Sequence, residues 1–210
     1  IANRITVPGQ SVGAIYGKMM DAVLSGDGDP SASRWPMGGG EDALFVRYHT
    51  GHGKVAKTDQ VLFEFAASYR HYHAALMNVV LTGAADERQR DMFRACREAL
   101  DACQDILRPG RTVGEIFDTH ARVLTKSGFG KSYPNECGYT MGATYPPSWM
   151  DWPMCVTGNP QIFEPGMVNL LRRPGTPLVV KKEGSDEALK AGVDYEDPVP
   201  KSQNFREACP

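Results

Sequence analysis

The stretch Val61 to Leu81, VLFEFAASYRHYHAALMNVVL, constrains the fold more than any other part of the chain. It reads as a strand, a tight connection and a second strand. Side chains alternate between the two faces of a strand. His71, His73, Ala75, Met77 and Val79 then share one face of the second strand, and Arg70, Tyr72, Ala74, Leu76 and Asn78 the other. In the first strand Glu64 shares a face with Leu62 and Ala66. A carboxylate in such a run is costly to bury unless a neighbour pairs with it. In a hairpin, the imidazoles of His71 and His73 are the expected partners.

The 210 residues can form one large domain or two small ones. A net charge of −2 carries no basic excess that would point to nucleic acid and no acidic tail. No apolar run approaches the roughly 20 residues of a membrane span. The five cysteines, Cys96, Cys103, Cys137, Cys155 and Cys209, include no CxxC or Cys/His ligand spacing. They read as reduced thiols of a cytoplasmic protein, with Cys96 and Cys103 on one buried helix face. The chain opens on Ile1 rather than Met and is expected to be a fragment or a processed piece.

Residues 1–10 show no pattern. Ser11 can cap a helix in which Val12, Ile15, Met19 and Val23 recur at helical spacing. Residues 26–41 are rich in Gly, Pro and Ser and read as a loop. Gly38 to Gly40 are not a phosphate loop, because no Gly-Lys-Ser/Thr follows. Leu44 to Tyr48 reads as a short strand, followed by the loop His49-Thr-Gly-His52-Gly, where glycines let a ligand approach the backbone. Two capping boxes, Asp86-x-x-Gln89 and Thr112-x-x-Glu115, open two further helices. Phe93, Cys96, Leu100, Cys103 and Leu107 mark the buried stripe of the first. His120 lies on the apolar face of the second and reads as a packed residue. Residues 133–160 concentrate Tyr, Trp, Met and Pro, a composition suited to a pocket wall or a subunit contact. Glu164-Pro-Gly-Met-Val168 starts another strand, and residues 172–210 read as a loosely packed tail.

Four segments, in order and spacing, resemble the pita-bread family of methionine aminopeptidase, aminopeptidase P, prolidase and creatinase. They are Asp59-Gln-Val-Leu-Phe-Glu64 with Tyr69 and Tyr72, Leu107-Arg-Pro-Gly-Arg-Thr112 with Glu115-Ile116, Gly138-Tyr-Thr-Met-Gly142, and Glu164-Pro-Gly-Met-Val168. Arg70-His-Tyr-His73 and Tyr145-Pro-Pro-Ser-Trp149 are most similar to the creatinase and ectoine-hydrolase-like branch. The resemblance implies an α+β fold, an antiparallel sheet covered by paired helices, incomplete at the C-terminus. It implies a catalytic-type domain over 1–171 and a divergent tail over 172–210.

The chain departs from the family at the metal ligands. Glu64 falls where the first aspartate is expected, Ala75 at the second and Tyr139 at the histidine of the GHGxG loop. Pro146 or Pro147 falls near the second pocket histidine, and Arg172 follows Asn169-Leu-Leu where a glutamate strand is expected. One such ligand does not hold a dinuclear site, so no metal and no other cofactor is expected. What remains implied is a metal-independent hydrolase of a C–N bond in a small nitrogen compound, similar to creatinase or ectoine hydrolase. The alternatives are an Xaa-Pro peptidase-like metallohydrolase and a non-catalytic or truncated binding module. Hydrolysis needs a base, an acid and charge stabilisation. His49, Glu64 and His73 are the expected catalytic residues, with His52, His71, Tyr139, Tyr145 and Trp149 around the substrate. The resemblance implies a homodimer with a small-molecule substrate, and no nucleic-acid or membrane partner.

Overall fold

The computed structural model describes residues 1–44, 52–131, 135–171 and 178–181. Among the described residues, four helices and seven strands follow in the order α1 (Ala2–Ile5), α2 (Val12–Leu24), β1 (Met37–Gly39), a 3-10 turn (Gly40–Leu44), β2 (Asp59–Tyr69), β3 (Tyr72–Thr82), α3 (Glu87–Ile106), α4 (Val113–Lys126), β4 (Gly138–Met141), β5 (Asp151–Met154), β6 (Val168–Leu171) and β7 (Leu178–Lys181). The strands form two sheets, β1-β2-β3-β7 and β5-β4-β6. All pairings are antiparallel except β3 with β7.

The helix starts follow from their caps. Ser11 Oγ accepts from Ala14 N–H at the start of α2, which buries Val12, Ile15 and Met19. Both capping boxes form: Asp86 with Gln89 opens α3, and Thr112 with Glu115 opens α4. Each cap satisfies backbone donors that the helix itself leaves orphaned, worth about 1 kcal/mol. Arg111 and the Thr112 N–H beside Glu115 also hold its carboxyl below the usual range, the backbone bond contributing most. The α3–α4 pair buries Cys96, Ala99, Val123 and Leu124 in one cluster and Cys103, Ile116 and Phe117 in another. Cys96, Cys103, Cys137 and Cys155 are buried and are in no disulfide among the described residues. His120 is buried on the inner face of α4 and packs near Phe117. Burial pushes its imidazole pKa down to about 4, because the low-dielectric interior disfavours the charged ring.

The β2–β3 hairpin is the centre of the molecule. Its turn is Arg70–His71, both residues in the left-handed region at φ 49° and 66°. Two such residues match the twist of the flanking strands, as in tight hairpin turns generally. The expectation that Arg70 and His71 begin the second strand is therefore corrected: they are the turn, and β3 starts at Tyr72. One face of the hairpin carries Val61, Phe63 and Phe65 with Leu76, Asn78 and Val80, and α2 packs against it through Val12, Ile15 and Met19. The opposite face carries Glu64, Ala66 and Ser68 with His73, Ala75 and Met77.

Three further expectations change. Residues 1–10 contain the short helix α1. The presumed loop 26–41 contains β1, whose Met37 and Gly39 pair with Phe63 and Val61. Within the tail, Leu178–Lys181 pairs with Val79–Thr82 of β3. The expected strand over Leu44–Tyr48 starts on the last residue of the 3-10 turn, and its remainder lies outside the described residues. Gly138 meets a close approach between β4 and β6: a Cβ there would run into the Leu170 carbonyl oxygen.

Candidate active site

Glu64 sits in the middle of β2 and is 2% exposed. Its backbone N–H donates to the Pro36 carbonyl at 2.9 Å, which seats the 34–36 segment against the hairpin. Its side chain lines a cavity of about 430 Å³ with Arg34, Pro36, Ser148, Trp149 and Met150. The far wall comes from the aromatic, proline-bearing segment singled out in the sequence. Trp149 is fixed there by a buried hydrogen bond from its Nε1–H to the Tyr139 hydroxyl at 2.8 Å. Tyr139 is fully buried in β4 and acts on the cavity through Trp149. Glu64, Tyr139 and Trp149 are thus brought together.

Among the described residues, His52, His71 and His73 do not line that cavity, although Ala32, which His73 holds, does. The register sets Glu64 opposite Met77 and His73 opposite Ser68. Four residues of strand, about 13 Å, separate the two positions. The expected pairing of Glu64 with His71 and His73 is corrected on that ground. His73 is instead a buried staple. Its Nε2 accepts the Ala32 backbone N–H at 2.9 Å. Its Nδ1 lies 2.8 Å from the His71 carbonyl and 3.0 Å from Thr144 Oγ1. A backbone N–H can only donate, so Nε2 carries the lone pair and Nδ1 the proton. Both ring nitrogens are committed to holding three segments of chain together.

His71 and Tyr145 form a second group at the hairpin tip, ring centroids 4.3 Å apart. The His71 N–H donates to Asp29 Oδ2 at 3.0 Å, and Tyr145 is 63% exposed. His52 is exposed in the loop beside α2, where Gly53 accepts from Val12 N–H. None of these three lines the Glu64 cavity. His49 lies outside the described residues. Sequence reasoning missed Arg34, Pro36 and Met150. Only the apolar-aromatic character of 133–160 pointed toward Met150, and residues 34 and 36 sit in a segment with no periodicity.

The sequence profile of Metallopeptidase family M24 matches residues 3–199. The chain belongs to that family. It is 23% identical over 151 residues to an Xaa-Pro dipeptidase of Pyrococcus furiosus, covering 72% of this chain and 39% of that protein. It is 26% identical over 129 residues to an ectoine hydrolase of Halomonas elongata, covering 61% of this chain and 32% of that protein. The chain therefore spans less than half the length of these relatives. Among solved structures, the prolidase from Pyrococcus furiosus superimposes with a TM-score of 0.74 at 17% identity, over 83% of this chain and 52% of that one. An aminopeptidase P from Escherichia coli gives 0.69 at 17% identity, over 80% and 42%. The fold is the pita-bread fold. Among the described residues no helix is long and apolar enough to cross a membrane.

The family's name implies a metal, and the described residues do not fit one. Among the described residues no three His, Cys, Asp or Glu side chains converge closely enough to hold an ion. On the hairpin face that bears Glu64, the neighbouring positions are Ala66, Ala75 and Met77, which carry no hard donor. The cavity lining also includes the exposed Arg34, whose positive charge disfavours a cation nearby.

Proposed function

We propose that the Glu64 cavity is a metal-independent site that hydrolyses a C–N bond in a small nitrogen compound. The observation that carries this reading is the placement of one deeply buried carboxylate on the wall of a cavity of about 430 Å³. Such a volume suits a small molecule. Similarity to an ectoine hydrolase supports the same class of substrate. In the proposed step Glu64 accepts a proton from water as the hydroxyl adds to the carbon of an amide or amidine. The proton then passes from the Glu64 carboxyl to the leaving nitrogen as the C–N bond breaks. Arg34 supplies positive charge toward the developing anion, and Trp149 with Met150 keeps bulk water out. A homodimer is part of this reading, supported by the exposed Tyr145 and Trp152 of the aromatic segment.

A second reading is binding without turnover. The commitment of both His73 nitrogens favours it, since it takes His73 away from the proton-shuttle role expected of it. The test is a screen of small amides, amidines and cyclic nitrogen compounds against the metal-stripped chain, read by thermal shift and by release of amine. Turnover that vanishes in Glu64→Gln supports hydrolysis. Saturable shifts without turnover support binding alone. Activity that appears only on adding Mn, Co or Zn overturns both.

A further inference from the structure

The hairpin has a second cavity on its other face. It encloses about 400 Å³ between α1, α2 and the outer side of β2–β3. Met19 and Ala22 of α2, Trp35, and Phe65 and Leu76 of the hairpin give it an apolar wall. Asn78 of β3 and Asn3 of α1 are its polar side chains, and Ile1 and Ala2 complete the wall on the α1 side. Alternation along β3 places Leu76 and Asn78 on the face away from Glu64, so the two cavities lie on opposite sides of one sheet. The segment between them faces both ways: Arg34 and Pro36 line the Glu64 cavity, and Trp35 lines this one.

Asn78 is 7% exposed. Its Nδ2 donates to Asn3 Oδ1 at 2.7 Å. Its Oδ1 is buried and has no hydrogen-bond partner among the described residues. A buried amide oxygen left in this state loses its hydration and gains nothing in return. Turning over the Asn78 and Asn3 amides together keeps their mutual bond and leaves an N–H unpaired in the same place. Either way one amide group of Asn78 awaits a partner at the floor of an apolar cavity. Leu76 at the rim is 46% exposed, so the mouth is open to solvent.

We propose that this cavity is a second small-molecule site, which takes a branched aliphatic primary amide or alcohol. The apolar body fills the wall between α2 and Phe65, and the amide or hydroxyl meets Asn78. Both groups donate and accept, so they satisfy Asn78 in either orientation. The site stands independently of the Glu64 reading, because it shares no side chain with that cavity.

The test titrates 3-methylbutanamide into the full chain, followed by amide chemical shifts in a labelled sample. The expected result is saturable shifts that map to α2 and to Leu76–Asn78. The N,N-dimethyl analogue keeps the acceptor and loses both donors. It is expected to bind about tenfold more weakly, from the loss of one buried hydrogen bond. Leu76→Trp, a change at a half-exposed position, is expected to fill the mouth and abolish the shifts while leaving the melt unchanged. Glu64→Gln is expected to leave the titration as it is. No saturable shift in the native chain would mean that the cavity holds only water and would overturn the proposal. Retained binding in Leu76→Trp would overturn it as well, whereas equal binding of the dimethyl analogue would assign the unpaired Asn78 group as its N–H.

Discussion

Replacing His73 with alanine removes three contacts at once and separates a structural role from a catalytic one. The ring holds Ala32 N–H at 2.9 Å, the His71 carbonyl at 2.8 Å and Thr144 Oγ1 at 3.0 Å. Thr144 N–H also bonds the His71 carbonyl, so that oxygen keeps one partner. Ala32 is 6% exposed, so its N–H loses its acceptor without gaining water. An orphaned buried donor costs about 1–3 kcal/mol, and a net lost hydrogen bond about 1 kcal/mol more. The expected loss is therefore roughly 2–4 kcal/mol. For a chain of this size that lowers Tm by about 5–15 °C. Urea denaturation followed by circular dichroism measures it. His73→Gln places an oxygen where Nε2 was and is expected to recover about half the loss. A loss below about 0.5 kcal/mol, accompanied by abolished turnover or ligand binding, would refute the staple and return His73 to the active site.

Other outcomes follow from the same coordinates. His120 has a folded pKa of about 4 against 6.5 for the unfolded side chain, so the unfolded chain binds the proton more tightly. Its contribution is complete above pH 6.5 and is lost as pH falls toward 4; it amounts to at most about 3 kcal/mol. His120→Leu is expected to flatten the stability profile across that window in urea titrations, and an unchanged slope would contradict the assignment. Tyr139→Phe leaves the buried Trp149 Nε1–H without its acceptor and should cost about 1–3 kcal/mol, with a shift in tryptophan emission. Gly138→Ala drives a methyl group into the Leu170 carbonyl and should destabilise the chain by about 1–3 kcal/mol, whereas Gly142→Ala, which meets open space, should cost much less in the same melt.

The sequence made some of this legible and hid the rest for identifiable reasons. Capping residues act locally, so Ser11, Asp86 and Thr112 located three helix starts directly. The hairpin was visible from its two apolar runs. The turn was not, because Arg70 and His71 adopt left-handed conformations that Gly or Asn would have advertised. Register depends on where the turn sits, and the Glu64–His73 pairing failed with it. The four-residue offset between them decides which side chains meet, and no local pattern encodes that number. β1 went unseen because Met37-Gly-Gly39 has no strand propensity of its own and forms by pairing with β2. Arg34 reaches the cavity because the 34–36 segment is drawn against the hairpin by the Glu64 N–H bond to Pro36 and the Trp35 Nε1–H bond to the Ala66 carbonyl. The carboxylate itself stood out in the sequence without help from the fold, because it is an acidic residue inside an apolar strand.

The central claim is that Glu64 works in its cavity without a metal ion. The most direct measurement compares amine release from small amides and amidines by the native chain and Glu64→Gln, both stripped with EDTA and checked for metal content. The account predicts turnover by the stripped native chain and a fall of about 10²–10⁴ in Glu64→Gln, with a melt at least as high as that of the native chain. Turnover that disappears on stripping and returns with stoichiometric Mn, Co or Zn would contradict it, as would full activity in Glu64→Gln.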